Sequence, residues 1–186
     1  MITLIIALIA VPSPSWLLVL SLPLSAVILK QLVKIGSRRH IFNPAAAAVM
    51  IPMIAGFNSV SWWGVAWGGP VLYAVLLIGI YILWQIKRFE TALSFLISYA
   101  IFLAALFIYQ GRELGSLFEL LWAQIFDGTV IFFTSVMLIE HITSNFPGRR
   151  NKIIYGILVA FLALIFTLFD QYLLGLDPLI AGLLFG

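Results

Sequence analysis

The chain has 186 residues, of which 63% are hydrophobic and 9% are charged, and its net charge at pH 7 is +3. A soluble domain needs about a quarter charged residues for its surface, so a soluble fold is excluded, and the few basic residues flank apolar segments instead of forming a nucleic-acid-binding patch. The absence of cysteine excludes disulfides, thiolate metal sites and a cysteine nucleophile.

Four apolar segments fill the first half of the chain. Residues 1–11 form one arm of a hairpin that "PSPS" turns, and Trp16 to Lys34 predicts a membrane span with a kink at Pro23. Asn43 to Gly56 supplies only half to two-thirds of the about 20 residues that cross a bilayer. A full span follows from about Pro70 to Ile86.

The second half continues the same pattern. Thr91 to Gln110, Leu117 to Ile142 and Ile153 to Phe169 each predict a span, and the second of these is expected to break near its middle at Asp127-Gly128. Asp177-Pro178 then opens another short apolar segment. Because the chain stops soon afterwards, a longer parent protein with a C-terminal domain is one expectation.

These segments predict an all-α, polytopic membrane bundle. We expect a single transmembrane domain over residues 1–186, with about six to seven membrane segments that include short or broken helices. The positive-inside rule places the loops at Arg38, Lys87 and Arg149 in the cytoplasm, which leaves Arg112 as the only external one of ten basic residues. A multi-pass protein of the cell (inner) membrane is the predicted location.

Two short segments begin with similar helix-start chemistry. Asn43-Pro44 and Asp177-Pro178 each combine a favoured N-cap with a proline that suits the first helical position. The N–H groups of such a start carry partial positive charge, so we expect the Asn43 start to face a site. The similarity of "NPAAAAVMI" to "DPLIAGLLF" fits an inverted repeat, and it also fits ordinary capping at two unrelated helices.

Most polar residues in the spans belong to the segment from Leu117 to Ile142. Asp127 is the candidate for an ion pathway, although it could simply cap a second helical piece. The end of the segment is expected to hold a cofactor or relay protons, or else to be solvated at the interface. Its candidate residues are Thr134, Glu140, His141, Thr143 and Ser144.

Two further groups of residues have alternative interpretations. His40 and His141 are the only histidines and could ligate one b-type haem from two helices, or share a membrane face by coincidence. Trp62 and Trp63 would form an interfacial belt or stack on a flavin ring. The sequence contains no P-loop, dinucleotide fingerprint, H-E-x-x-H or G-x-S-x-G, so we predict no catalytic residues and no metal site.

Four stretches carry a resemblance to a known family: "GSRRHIFNPAAAAVMI", "SWWGVAW", "FFTSVMLIEHITS" and "GRRNKIIYGILVAFLALI". Their order and spacing over about Lys34 to Phe169 resemble the family that contains the D subunit of Rnf electron-transport complexes and the B subunit of sodium-translocating NADH:quinone reductase. The chain departs from that family in two places. His141 stands where proline is usual, and the S-G-A-T motif that attaches FMN covalently is absent.

The resemblance implies a membrane subunit of an electron-transport system, an oxidoreductase component at most. It would bind FMN or riboflavin non-covalently between the Asn43 helix start, with His40 and Pro44, and the broken helix near Glu140. It would pass electrons between a soluble flavin or NAD(P)H reductase, or other electron-transport subunits, and a membrane acceptor such as quinone, with ion translocation as a coupled process. Its remaining partner would be the lipid bilayer, and no nucleic acid is implied.

Two other functions remain open at the level of sequence. A channel or transporter without redox chemistry would also build a midplane site from short helices that open with Asn-Pro and Asp-Pro. A membrane anchor with haem b on His40 and His141 is the third alternative, and it depends on those two residues alone.

Overall fold

Nine α-helices form the described part of this computed structural model, which covers residues 2–12, 16–32, 34–35, 39–40, 42–57, 60–140, 147–169 and 175–186. In chain order the helices are α1 Ile2–Ile9, α2 Trp16–Leu32, α3 Pro44–Ile54, α4 Gly69–Ile86, α5 Phe89–Tyr109, α6 Leu117–Ile125, α7 Thr129–Phe132, α8 Arg149–Phe169 and α9 Pro178–Phe185. A 3₁₀ turn, Leu114–Ser116, precedes α6, and a π-helical turn, Phe133–Met137, continues α7. Two short strands, β1 Lys34–Ile35 and β2 Arg39–His40, pair antiparallel between α2 and α3.

The predicted helical membrane bundle is confirmed. By length and composition α4, α5 and α8 could each cross a bilayer, and the pair formed by Leu114–Ile125 and Thr129–Met137 would make a fourth crossing, bent by 54°. Only 11% of α4 is buried inside the protein. An apolar surface of this extent indicates contact with lipid.

The sequence predicts most helix bounds to within a few residues. α2 contains Pro23 as expected and ends at Leu32, two residues before the predicted Lys34. α8 begins at Arg149, one turn before the predicted Ile153, so its first turn is basic. The predicted short helices after Asn43 and Asp177 form as α3 and α9.

The break in the span occurs where the sequence predicts it. Gly128 has φ +100°, and a Cβ at this position would overlap the carbonyl oxygen of Val65. Only glycine combines this conformation with such a close approach of backbone. The chain therefore turns between α6 and α7, and α7 begins inside the bundle with Thr129 buried.

The core lies where α7 and its π turn meet the surrounding helices. Phe95 of α5 is fully buried, stacks on Tyr99 with 5.4 Å between ring centroids, and lies 5.2 Å from Phe133. Small residues bring the other helices close: a Cβ on Gly156 of α8 would lie 2.6 Å from the carbonyl oxygen of Thr91 in α5. Such close helix contacts are typical of membrane bundles.

Candidate functional site

The short segment Thr129–Met137 has a different set of neighbours at each end. We call the surroundings of Met137 the Asn43 end, and the surroundings of Thr129 the Asp177 end. Nine helical residues separate the two ends by about 13 Å. The predicted site residues that the structure describes divide between them.

At the Asn43 end, one buried amide joins two distant segments. The Asn43 Oδ1 accepts hydrogen bonds from the backbone N–H groups of Ala45 at 3.0 Å and Ala46 at 3.1 Å. The Nδ2 donates to the carbonyl of Met137 at 3.1 Å. Asn43 therefore caps α3 and binds the end of the π turn with a single side chain.

Asn43 itself accepts the hydrogen bonds of the first turn of α3. The Ala47 N–H also bonds to Asn43, at its backbone carbonyl, over 2.9 Å. Pro44 is buried at the first helical position and has no N–H. The expectation that this start offers free N–H donors to a flavin or another anion is therefore wrong, because the asparagine satisfies them locally.

Thr134 is buried in the π turn and bonds back to α7. Its Oγ1 donates to the carbonyl of Val130 at 2.6 Å, and the Oγ of Ser135 donates to that of Ile131 at 2.7 Å. Hydroxyls that bond to the preceding turn often bend a helix, and they account for the widened turn here. Both residues also line a cavity of about 170 Å³ against α4 and α5.

Glu140 follows the end of the broken span and is partly buried. Burial raises the pKa of its carboxyl to about 7, and the positive charge of Lys30 at the end of α2 lowers it in part. Glu140 also interacts electrostatically with Tyr155 of α8. A carboxyl with such a pKa exchanges protons near neutral pH, which is the property expected of a proton relay or a switchable hydrogen-bond partner.

Four predicted residues cannot be placed around Glu140. The side chain of His40 and the whole of His141, Thr143 and Ser144 lie outside the described residues. Their assignments as flavin or haem partners stay predictions.

At the Asp177 end, two carboxylates lie beside buried helix starts. The Asp177 Oδ1 accepts from the Ile180 N–H at 2.9 Å, and its Oδ2 accepts from the Trp62 Nε1–H at 2.7 Å. The Asp127 Oδ1 accepts from the Thr129 N–H at 2.7 Å. The Asp177 carboxylate thus caps the start of α9, and the Asp127 carboxylate bonds to the first N–H of α7 from just before that helix, so both are held in position.

A cavity of about 470 Å³ opens between these helix starts. Its polar lining comes from Ser61, Trp62, Tyr99, Gln110, Gln124, Asp127, Thr129, Thr167 and Asp177. Trp63 lies elsewhere, with its side chain 43% exposed and its Nε1–H donated to the Ala7 carbonyl at 2.9 Å. The two adjacent tryptophans therefore differ in environment: Trp62 is buried at a cavity, and Trp63 remains on the surface.

The structure thus brings Asn43 to the broken helix, as predicted, but places Trp62 and Asp127 at the opposite end of it. Sequence reasoning missed Tyr99, Gln110 and Gln124 as lining residues. Tyr99 could have been found as a polar group in the middle of a span, which usually faces protein or water. Gln110 and Gln124 lie near the ends of α5 and α6, where a polar residue is ordinary, so the sequence does not single them out.

No protein-family model, curated protein or solved structure matches this chain. Functional inference therefore depends on the chemistry of its two ends and on the resemblance described above.

Proposed function

We propose that the chain is a membrane subunit of an electron-transport system that holds a non-covalent flavin, FMN or riboflavin, near the Asn43 end. A bound flavin would accept and release electrons there. The chain itself would supply the pocket, a proton-exchanging carboxyl and the route to a membrane acceptor such as quinone. The family resemblance motivates the proposal, and one contact in the structure supports it most.

That contact is the hydrogen bond from Asn43 to the Met137 carbonyl. Asn43 belongs to the "FNPAAAA" stretch and Met137 to "FFTSVMLIEHITS", and 94 positions separate them in the chain. These are two of the stretches that carry the family resemblance. A site built from both stretches would need them to lie together, and this contact brings them together at a buried position.

Among the described side chains at this end, one is suited to bond to a flavin ring, that of Glu140. Asn43 and Thr134 already bond to backbone carbonyls, so they would hold the two segments in place instead of binding the ring. Glu140 can accept a hydrogen bond as a carboxylate and donate one as an acid. With a pKa of about 7 both forms are present at neutral pH, which suits the edge of a flavin ring whose protonation changes on reduction.

The partner and the sidedness form part of the same proposal. The loops at Arg38, Lys87 and Arg149 would lie in the cytoplasm of a cell with an inner membrane, and the Asn43 end would lie towards them. A soluble flavin or NAD(P)H reductase would then approach the end that holds the flavin. Basic loops of this kind would attract an acidic partner surface.

The absorption spectrum of the full chain, purified in a non-ionic detergent, tests the proposal. We expect a flavin spectrum in the oxidised protein, bleaching with dithionite, and release of the chromophore on denaturation. A chain that stays colourless after incubation with FMN and with riboflavin would contradict the proposal. A Soret band would instead support haem b on His40 and His141.

A channel or transporter remains the second candidate because of the cavity at the Asp177 end. Two short helices begin beside it, and membrane carriers build midplane sites from such discontinuous helices. Uptake of solute by vesicles that contain a colourless chain would favour this function. A flavin-bearing chain without uptake would favour the redox subunit.

A further inference from the structure

The cavity at the Asp177 end reaches from the surface to the middle of the bundle. Gln110 and Gln124 are exposed at its mouth, and Tyr99 lies at the centre of α5, ten residues from either end. Eleven residues of helix from Gln110 to Tyr99 correspond to about 16 Å, roughly half of a bilayer's hydrocarbon. The volume of about 470 Å³ lies within the range of small-molecule sites, about 300–1,000 Å³.

The lining of this cavity is acidic. Asp127 and Asp177 contribute carboxylates, and no Lys, Arg or His is among the described residues that line it. The Asp127 Oδ1 bonds to the Thr129 N–H, whereas its Oδ2 has no hydrogen-bond partner among the described residues. A half-buried carboxylate oxygen without a protein partner is left to water or to a bound cation.

A second polar group, the Tyr99 hydroxyl, lies at the inner end of the cavity. The Tyr99 side chain is only 7% exposed, and within the described part of the chain its hydroxyl forms no hydrogen bond. It lines the cavity and interacts electrostatically with both Asp127 and Asp177. The hydroxyl is therefore available to a group that binds in the cavity between the carboxylates and the phenol.

Aromatic rings complete the lining. Trp62 is held in place by its bond to Asp177, and Tyr99 is held by its stack on Phe95. Ring faces beside carboxylates attract cations through the ring quadrupole, and alkylammonium groups fit such sites best because their carbon atoms contact the rings. The space also exceeds what one bare metal ion would fill.

We propose that this cavity binds a small organic ammonium ion. The ammonium group would lie near Asp127 and donate to its carboxylate, while the Trp62 N–H stays bonded to Asp177. The Tyr99 hydroxyl would accept a hydrogen bond from a primary ammonium. The carbon skeleton would lie against the rings, and Gln110 and Gln124 would flank the entry. Binding here is independent of a flavin at the Asn43 end.

Calorimetric titration of the full chain in non-ionic detergent with benzylammonium tests this site. Benzyl alcohol, a neutral molecule of the same shape, should bind at least about tenfold more weakly. Asp127→Asn keeps an acceptor for the Thr129 N–H and removes the charge, so it should raise the Kd for benzylammonium about tenfold. Tyr99→Phe should raise it about threefold.

Matched controls remove the same groups at exposed positions. Glu113 and Tyr73 are exposed, so Glu113→Gln and Tyr73→Phe should leave the Kd for benzylammonium unchanged. Equal affinity for benzylammonium and benzyl alcohol in the unmodified chain would overturn the proposal, whether or not Asp127→Asn folds. Unchanged binding in Tyr99→Phe and Asp127→Asn would overturn it, as would saturable binding of sodium ion without binding of benzylammonium.

Discussion

The two proline-led helix starts have nearly the same backbone but different surroundings. Asn43 has φ −62° and ψ 117°, and Asp177 has φ −62° and ψ 120°. Asn43 is 4% exposed and closed on both sides by protein, whereas Asp177 borders a cavity. At one end of Thr129–Met137 the cap residue therefore bonds to a second segment. At the other end the cap residue places a carboxylate beside a cavity.

The difference follows from the chemistry of the two side chains. An amide both accepts and donates, so Asn43 can cap α3 and bind the Met137 carbonyl at once. A carboxylate only accepts, so the second oxygen of Asp177 accepts from the Trp62 N–H, and the carboxylate lines the cavity. The asparagine therefore links two segments by hydrogen bonds, whereas the aspartate places a carboxylate at the edge of a cavity.

Gly128→Ala is expected to have the largest effect on stability, because it would disrupt the turn that precedes α7 at the Asp177 end. A positive φ costs a non-glycine residue about 1–2 kcal/mol, and overlap with the Val65 carbonyl adds the cost of moving backbone. We expect the free energy of unfolding to fall by about 4 kcal/mol in total. Denaturant unfolding in mixed micelles would measure it.

Gly111→Ala provides the control for backbone strain. Gly111 also has a positive φ, of +73°, but a Cβ there meets no atom within 4 Å. It should cost about 1 kcal/mol. Equal losses for the two variants would contradict the close contact between Gly128 and Val65.

Exchanging the two caps tests the comparison directly. Asn43→Asp keeps the acceptor for α3 but removes the donor to Met137 and buries a charge beside a carbonyl, so we expect a loss of about 3 kcal/mol. Asp177→Asn keeps an acceptor for the Ile180 N–H but replaces the oxygen that accepts from the buried Trp62 N–H with a donor, so we expect a smaller loss of about 1.5 kcal/mol. Similar losses in unfolding experiments would show that the two ends do not differ as described.

Glu140, at the Asn43 end, should make the free energy of unfolding depend on pH. Because its folded pKa of about 7 exceeds the usual 4.5, the folded state binds more protons between these values, and stability falls as pH rises through this window. Glu140→Gln should remove that slope. After a discount for solvent screening, it should be about 2 kcal/mol more stable than the unmodified chain at pH 8, and equally stable at pH 4.5.

Unfolding titrations at the two pH values would measure this difference. Glu113→Gln, at an exposed position, should leave the slope unchanged. The same slope in Glu140→Gln and the unmodified chain would rule out Glu140 as its source.

The local features of the fold could be predicted, and the tertiary ones could not. Both helix starts and the break at Asp127-Gly128 depend on residues within one turn of each other, so the sequence predicts them. The bond from Asn43 to Met137 and the orientation of Tyr99 depend on packing between distant segments. The same limit explains the wrong expectation of free N–H groups at α3, because a good cap is also a good acceptor for its own helix.

The flavin content of purified variants tests the central claim, that the Asn43 end holds a flavin, most directly. Flavin per polypeptide would be measured in the unmodified chain, Glu140→Gln, Glu113→Gln and Asp127→Asn, each after saturation with FMN and removal of excess. We predict loss of flavin in Glu140→Gln and full content in the other three. Full content in Glu140→Gln, or a loss confined to Asp127→Asn, would contradict the claim and place any flavin at the Asp177 end or elsewhere.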